Sequence, residues 1–128
     1  MLLSEQQYLF AKDMNTFTNY LIKRGIKFTI GECWRRPSTQ LWLYEKGWSK
    51  TKTNSMHLYK LAEDIFVWIN GKFMKNTPEN KELVKPLGTM WENLNPDLNR
   101  WGGNFETRVK GKLVPFIDLA HYERRKVK

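Results

Sequence analysis

Apolar residues recur along the first part of the chain with a helical period. Phe10, Met14, Phe17 and Leu21 are spaced four, three and four apart, so they share one face of a helix. Ser4 with Gln7 has the capping-box pattern and Gly25 supplies a stop signal, which predicts a helix over 4–25. The period then changes to two. Ile26, Phe28 and Ile30 alternate with Lys27 and Thr29, the pattern of a half-buried strand. In RRPSTQLWLYEKG, Pro37 near the first turn and Gly47 past the end bracket a short helix. GWSKTKTNS is polar and reads as a loop. LAEDIFVWINGKFM carries Asn70-Gly71 between apolar runs, a hairpin signal. Leu83, Leu87, Met90 and Leu94 predict another helix, one that begins near Pro86, because proline within a helix loses a backbone hydrogen bond. RWGGNF is a Gly-rich turn, and VPFIDLAHYERR reads as a final strand ending in a basic tail. Helices before and between strands joined by hairpins give an α+β class: a small domain with an antiparallel sheet flanked by helices.

Length and composition narrow this picture. The chain has 128 residues, which suits one domain spanning 1–128 and a core that removes roughly two thirds of the unfolded surface. Abundant aromatics exclude a disordered chain. No apolar run approaches the roughly 20 residues of a membrane helix. MLLSEQQYLF lacks a basic start, a long apolar middle and a small-residue cleavage site, so no signal peptide is expected and the protein is expected to be made in the cytoplasm. Cys33 is the single cysteine, which excludes an internal disulfide. The net charge of +9 favours an anionic partner: nucleic acid, anionic lipid or a cell-wall polymer. Charge alone does not choose among them, and a solvated basic face has the same composition.

Candidate chemistry centres on the two histidines. Asp64 follows His57 by seven residues and Asp118 precedes His121 by three, with each pair expected at a strand or strand edge. Two imidazoles and one carboxylate make a catalytic zinc set that leaves a fourth position for water. Zinc lowers the pKa of such a water to about 7 and polarises a carbonyl, and a carboxylate outside the set can take the water's proton. If LAED is a strand, Ala62 and Asp64 face one side, and the small alanine leaves room beside the acid. If HYE is extended, His121 and Glu123 share a face. Spacing alone leaves open the alternative of structural histidines with no common site.

At these residues a resemblance to a known family emerges. SMHLYKLAED, Ser55 to Asp64, resembles the S-x-H-x-x-G-x-A-x-D signature of the zinc D-Ala-D-Ala carboxypeptidase and L-alanyl-D-glutamate endopeptidase family (peptidase family M15). DLAHYE is similar to that family's D/E-x-x-H-[FWY]-E ending. CWRRPSTQLWLYEKG resembles Y-R-[ST]-P-x-x-Q-x-x-L-Y-x-x-G through Arg35, Pro37, Gln40, Leu43, Tyr44 and Gly47, and NRWGGNF resembles the W-G-G-[DN]-[WF] block. The four stretches are colinear from about Gly31 to Glu123. The resemblance implies a zinc site at the sheet, held by His57, Asp64 and His121, with Asp118 as general base. It implies that Arg35 holds substrate or steadies the oxyanion, where the bland alternative is a surface ion pair. Ser55 would orient substrate or simply cap a turn. Trp101 would contact substrate or, with Gly102 and Gly103, shape the site. Glu123 would hold a ligand histidine from behind or lie as an exposed acid on the last strand. Lys60 departs from the signature by standing where glycine is usual, and ordinary φ is expected there. Asp118, where many family carboxypeptidases have Glu, leans toward the endopeptidase branch.

The resulting expectation is a zinc peptidase of peptidoglycan stem peptides. It would be a monomer acting as a phage endolysin, held in the host cytoplasm until lysis and then acting in the periplasm on the cell wall. Its basic surface would aid approach to anionic envelope polymers. A D-Ala-D-Ala carboxypeptidase is the nearest alternative. A nucleic-acid-binding module would suit the basic and aromatic composition, but the chain has no recognised nucleic-acid motif and no nucleic acid is expected as partner. A wall-binding domain without activity is disfavoured by the retention of both histidines and both aspartates.

Overall fold

A computed structural model describes all residues, 1–128. The chain forms an α+β domain. Helix α1 (Leu3–Lys23) leads into β1 (Lys27–Ile30), α2 (Pro37–Glu45) and a short 3-10 turn at Met56–Tyr59. Strands β2 (Ala62–Ile69) and β3 (Lys72–Phe73), helix α3 (Pro78–Leu94) and β4 (Asn99–Trp101) follow. A second 3-10 turn (Gly102–Asn104), the hairpin β5 (Glu106–Val109) and β6 (Lys112–Pro115), and β7 (His121–Arg124) complete it. The main sheet runs β1-β2-β7-β4, with β3 folded back on β2 through the Asn70-Gly71 turn, and all pairings are antiparallel. No helix is long and apolar enough to cross a membrane.

The predicted stripe of α1 is the core face: Phe10, Met14, Phe17 and Leu21 are all buried. Phe17 meets Tyr122 of β7 and Trp91 of α3, so one helix face ties the last strand to the other long helix. Several expectations at element ends do not hold. Helix α1 begins before Ser4, and its N-cap Leu2 has no side-chain capping bond. The start is held instead by Gln6, which is buried and bonds to Met1 and Val127 carbonyls. Helix α3 begins at Pro78, capped by Thr77, so Pro86 lies inside it. The buried stripe Val84, Leu87, Gly88 and Trp91 spans both sides of Pro86, and its burial offsets the roughly 3 kcal/mol that an interior proline costs. Pro86 itself faces solvent, where a disturbed carbonyl can bond water. The expected final strand is two strands, β6 and β7, separated by a loop that carries Asp118. The basic tail is docked: Arg124 is buried, and the Val127 amide donates to Gln6 Oε1.

Lys60 is the clearest correction. It has φ 58 and ψ 36, the left-handed region, and closes the 3-10 turn from which β2 departs. The glycine of the family signature therefore has a conformational reason that lysine does not remove; lysine simply carries the strain, about 1–2 kcal/mol relative to the right-handed region. Lys60→Gly is expected to stabilise the fold by about 0.5–1 kcal/mol, the strain relief exceeding the added freedom of the unfolded chain. Thermal unfolding of the two proteins checks this, and a lower Tm for Lys60→Gly would refute it.

Candidate active site

Three elements bring the site together. Asp64 in β2 lies directly opposite His121 in β7, and Ala62 opposite Glu123. Direct cross-strand partners project to the same side of a sheet, so one register sets an acid against an imidazole and leaves only a methyl group opposite Glu123. His57 comes from the 3-10 turn, not from a strand as the sequence suggested. Ser55 caps that turn, its hydroxyl accepting from the His57 amide. The left-handed Lys60 then returns the chain so that β2 runs beside it.

His57, Asp64 and His121 each offer one ligand atom within 4.8 Å of the others. His57 Nε2 is 3.3 Å and His121 Nδ1 3.8 Å from Asp64 Oδ1. Donors of a tetrahedral metal at about 2.1 Å would lie about 3.4 Å apart. The remaining ring nitrogens are committed. His57 Nδ1 lies 2.7 Å from the Cys33 carbonyl, which only an N–H can satisfy, so the lone pair is on Nε2. His121 Nε2 lies 2.7 Å from Glu123 Oε1, leaving Nδ1 facing Asp64. Glu123 is itself held by Arg100, which donates to Oε2 from two nitrogens. His57 Nε2 is buried and has no hydrogen-bond partner. An orphaned imidazole nitrogen aimed at a carboxylate and a second imidazole fits a bound divalent cation.

The electrostatics agree. Burial alone would lower the His121 pKa, but Asp64 and Glu123 outweigh it and push it up to about 9. Burial would raise the Asp64 pKa, but the adjacent His121 and His57 imidazoles hold it well below the usual carboxylate range. A pair of carboxylates that stabilises a proton on His121 stabilises any cation in its place. Asp118 behaves differently. Burial, reinforced by Asp64, raises its pKa despite the opposing histidines and Arg35. It is not among the three donors, and a carboxyl raised toward neutrality is suited to proton transfer.

A cleft of about 520 Å³ opens over these groups, with Arg35, Ser55, His57, Asp118 and His121 in its lining. Arg35 donates to Glu32 and to Gln40 Oε1, and the Gln40 amide donates in turn to Ser49 Oγ and the Thr51 carbonyl. The guanidinium is thus an ion-paired but fixed charge at the cleft. Glu123 is buried behind His121, not exposed at the end of a strand. Trp101 is 1 % exposed, so it offers a ligand almost no surface. Its indole fills the space beside Gly88 and Gly103, where an added Cβ would sit 2.1 Å and 2.2 Å from the ring. At Gly102 an added Cβ would come 2.3 Å from the Asp118 carbonyl oxygen and 2.7 Å from His121 Cβ. Gly102 therefore lets the segment bearing Asp118 and His121 close on the turn below it, while Gly103 makes room for the Trp101 indole. Arg100, Gln40 and the Cys33 carbonyl were not assigned roles from sequence. Arg100 and Gln40 lie inside the family-like stretches, but a backbone carbonyl leaves no residue-type signal.

Because Glu123 orients His121 and supplies charge behind it, Glu123→Gln is expected to weaken metal affinity by about 10- to 100-fold. Titration of the stripped protein with a metal indicator measures this. Unchanged affinity would assign Glu123 to folding alone.

No family model and no curated protein matches the chain. Among solved structures, the fold is similar to that of Serratia marcescens L-Ala D-Glu endopeptidase ChiX, with TM-score 0.52 and 19% sequence identity, over 77% of this chain and 67% of that one.

Proposed function

We propose that the chain is a single zinc peptidase domain that hydrolyses peptidoglycan stem peptides at the L-alanyl-D-glutamate bond and serves as a phage endolysin. The observation that carries this reading is the convergence of His57, Asp64 and His121 to within 4.8 Å, with Asp118 outside the set but in the same cleft. Two imidazoles and a carboxylate suit zinc among the divalent metals. The fold likeness to an L-Ala D-Glu endopeptidase and the family-like stretches point to the same substrate. A metal bound there supplies Lewis acidity toward a carbonyl and acidifies water.

The chain's own groups supply the rest. The Asp118 carboxylate takes a proton from the attacking water and returns it to the leaving amine. Arg35, immobilised by Glu32 and Gln40, presents positive charge where the substrate carbonyl oxygen becomes negative. Ser55 fixes the turn that aims His57. Glu123, anchored by Arg100, fixes the ring of His121. The fold has no second ligand set of this kind to suggest another metal chemistry.

In the lytic role, the protein would stay in the host cytoplasm until the inner membrane opens and then reach the wall as a monomer. The basic surface would favour anionic envelope polymers. Mass spectrometry of purified peptidoglycan after digestion tests the reading. New amino groups on D-glutamate are expected. Release of D-alanine would replace the endopeptidase with a D-Ala-D-Ala carboxypeptidase, and an unchanged digest would overturn both.

A further inference from the structure

Helix α2 has an unusual relation to the rest of the fold. Its single buried residue is Gln40, which is polar. The helix is pinned by the hydrogen bonds of that amide and leaves Leu41, Trp42 and Tyr44 exposed. Beyond it, Gly47 at φ 77 turns the chain back, and the Trp48 amide donates to the Leu43 carbonyl. Trp48 then meets Trp42 edge to face, with ring centroids 5.2 Å apart. Trp42 is 49 % exposed and Trp48 66 %, and Trp48 also lines the catalytic cleft. The two rings therefore form an aromatic ridge that runs from the mouth of the cleft onto the helix. Exposed aromatic surface of this extent, continuous with a site, marks a binding surface.

We infer that this ridge is a subsite for the glycan strand that carries the stem peptide, with Trp42 as its outer stacking platform. The inference rests on the stem-peptide reading of the cleft. A pyranose ring has an apolar face of C–H groups and a polar rim of hydroxyls. The ridge matches that division: at its inner end Trp48 shares the lining of the cleft with Ser49, Thr51 and Asn54. Lys46 and Lys52 lie over Trp42 and Tyr44, their Nζ atoms 5.9 Å and 5.2 Å from the ring centroids, and add donors for sugar or carboxylate oxygens. A peptide held at Asp118 is covalently attached to its sugar, so the first saccharides must leave the cleft over its rim. A lipid bilayer, which also attracts tryptophan and lysine, would favour an apolar face free of the polar groups that line this one.

The test separates binding from cleavage. The intact protein is titrated with a β-1,4-linked N-acetylglucosamine tetrasaccharide by calorimetry. Binding is expected, weakened roughly tenfold by Trp42→Ala and largely restored by Trp42→Tyr. In parallel, Trp42→Ala is expected to lower kcat/KM on intact sacculi roughly tenfold and to leave cleavage of a free stem peptide unchanged. Circular dichroism verifies that each variant is folded, and the parent protein alone suffices to refute the idea if it binds no sugar. Equal losses on both substrates, vesicles of phosphatidylglycerol bound in place of sugar, or a dimer that masks Trp42 would each overturn it. Sugar binding without peptide cleavage would sink the peptidase reading and leave the subsite standing. Cleavage of sacculi without sugar binding would do the reverse.

Discussion

Removal of the metal is expected to abolish cleavage, with a loss of more than about 10³-fold. That figure follows from the several kcal/mol of charge stabilisation a catalytic metal contributes. The structural basis is the buried, unpartnered Nε2 of His57 facing Asp64, with the second imidazole on the opposing strand. A metal held by the same cluster would also be a folding ligand. At a thousandfold excess over Kd, binding adds about 4 kcal/mol to stability, so stripping should lower Tm by about 10 °C or more. Replacement of His121 by Ala should have both effects at once, since it removes a ligand and leaves Glu123 buried without its imidazole partner. The experiment is dialysis against a chelator, elemental analysis, a thermal scan and an assay on purified peptidoglycan, followed by readdition of zinc. Restoration of activity and Tm together is the expected result. Full activity in protein shown to be free of divalent metal would end the proposal of a metal centre.

Asp118→Asn should retain one metal per chain and lose about 10²- to 10⁴-fold in kcat. Asp118 is outside the cluster of three donors, yet its charge is felt by His121, and its pKa is raised chiefly by burial. Asparagine keeps the shape and removes the proton acceptor. The backbone bonds that hold the loop, from the Asp118 amide to Gly102 and from the His121 amide to Asp118, do not involve the side chain. The fold should therefore survive the change. KM should move little, because the loss falls on a proton transfer that belongs to the transition state. If the variant loses its metal as readily as an Asp64 variant does, Asp118 is a ligand and the two aspartates have exchanged roles.

These predictions draw on features that were unevenly legible. The core face of α1 could be read directly, because a helix of period 3.6 repeats its apolar residues at fixed offsets whatever lies opposite. The Asn70-Gly71 hairpin was equally local, since the turn needs residues that accept positive φ: φ is 53 at Asn70 and 76 at Gly71. The ends of α1 and α3 were not local. Gln6 replaces a capping box by reaching the last residues of the chain, and Pro86 is tolerated because Val84 and Trp91 are buried on either side of it. Val127 is 121 residues from Gln6, and Trp91 is buried against Phe10, Phe17 and Tyr122, none of them in α3.

The candidate site divides in the same way. Sequence determined which residue types were available: two histidines, a few acids near them, and colinear stretches that resemble one family. It could not set His57 near His121 across 64 positions of chain. That depends on the β2–β7 register, in which a slip of one residue would turn Asp64 or His121 to the opposite face of the sheet. Tertiary structure also decided the ring tautomers, through a backbone carbonyl at Cys33 and a carboxylate at Glu123. It buried Trp101 at the wall of the cleft, and it gave Lys60 the left-handed turn that its side chain alone argued against. Residue type and short periods are properties of the chain. Distance, burial and the direction of a lone pair arise only when segments far apart in sequence exclude water from one another.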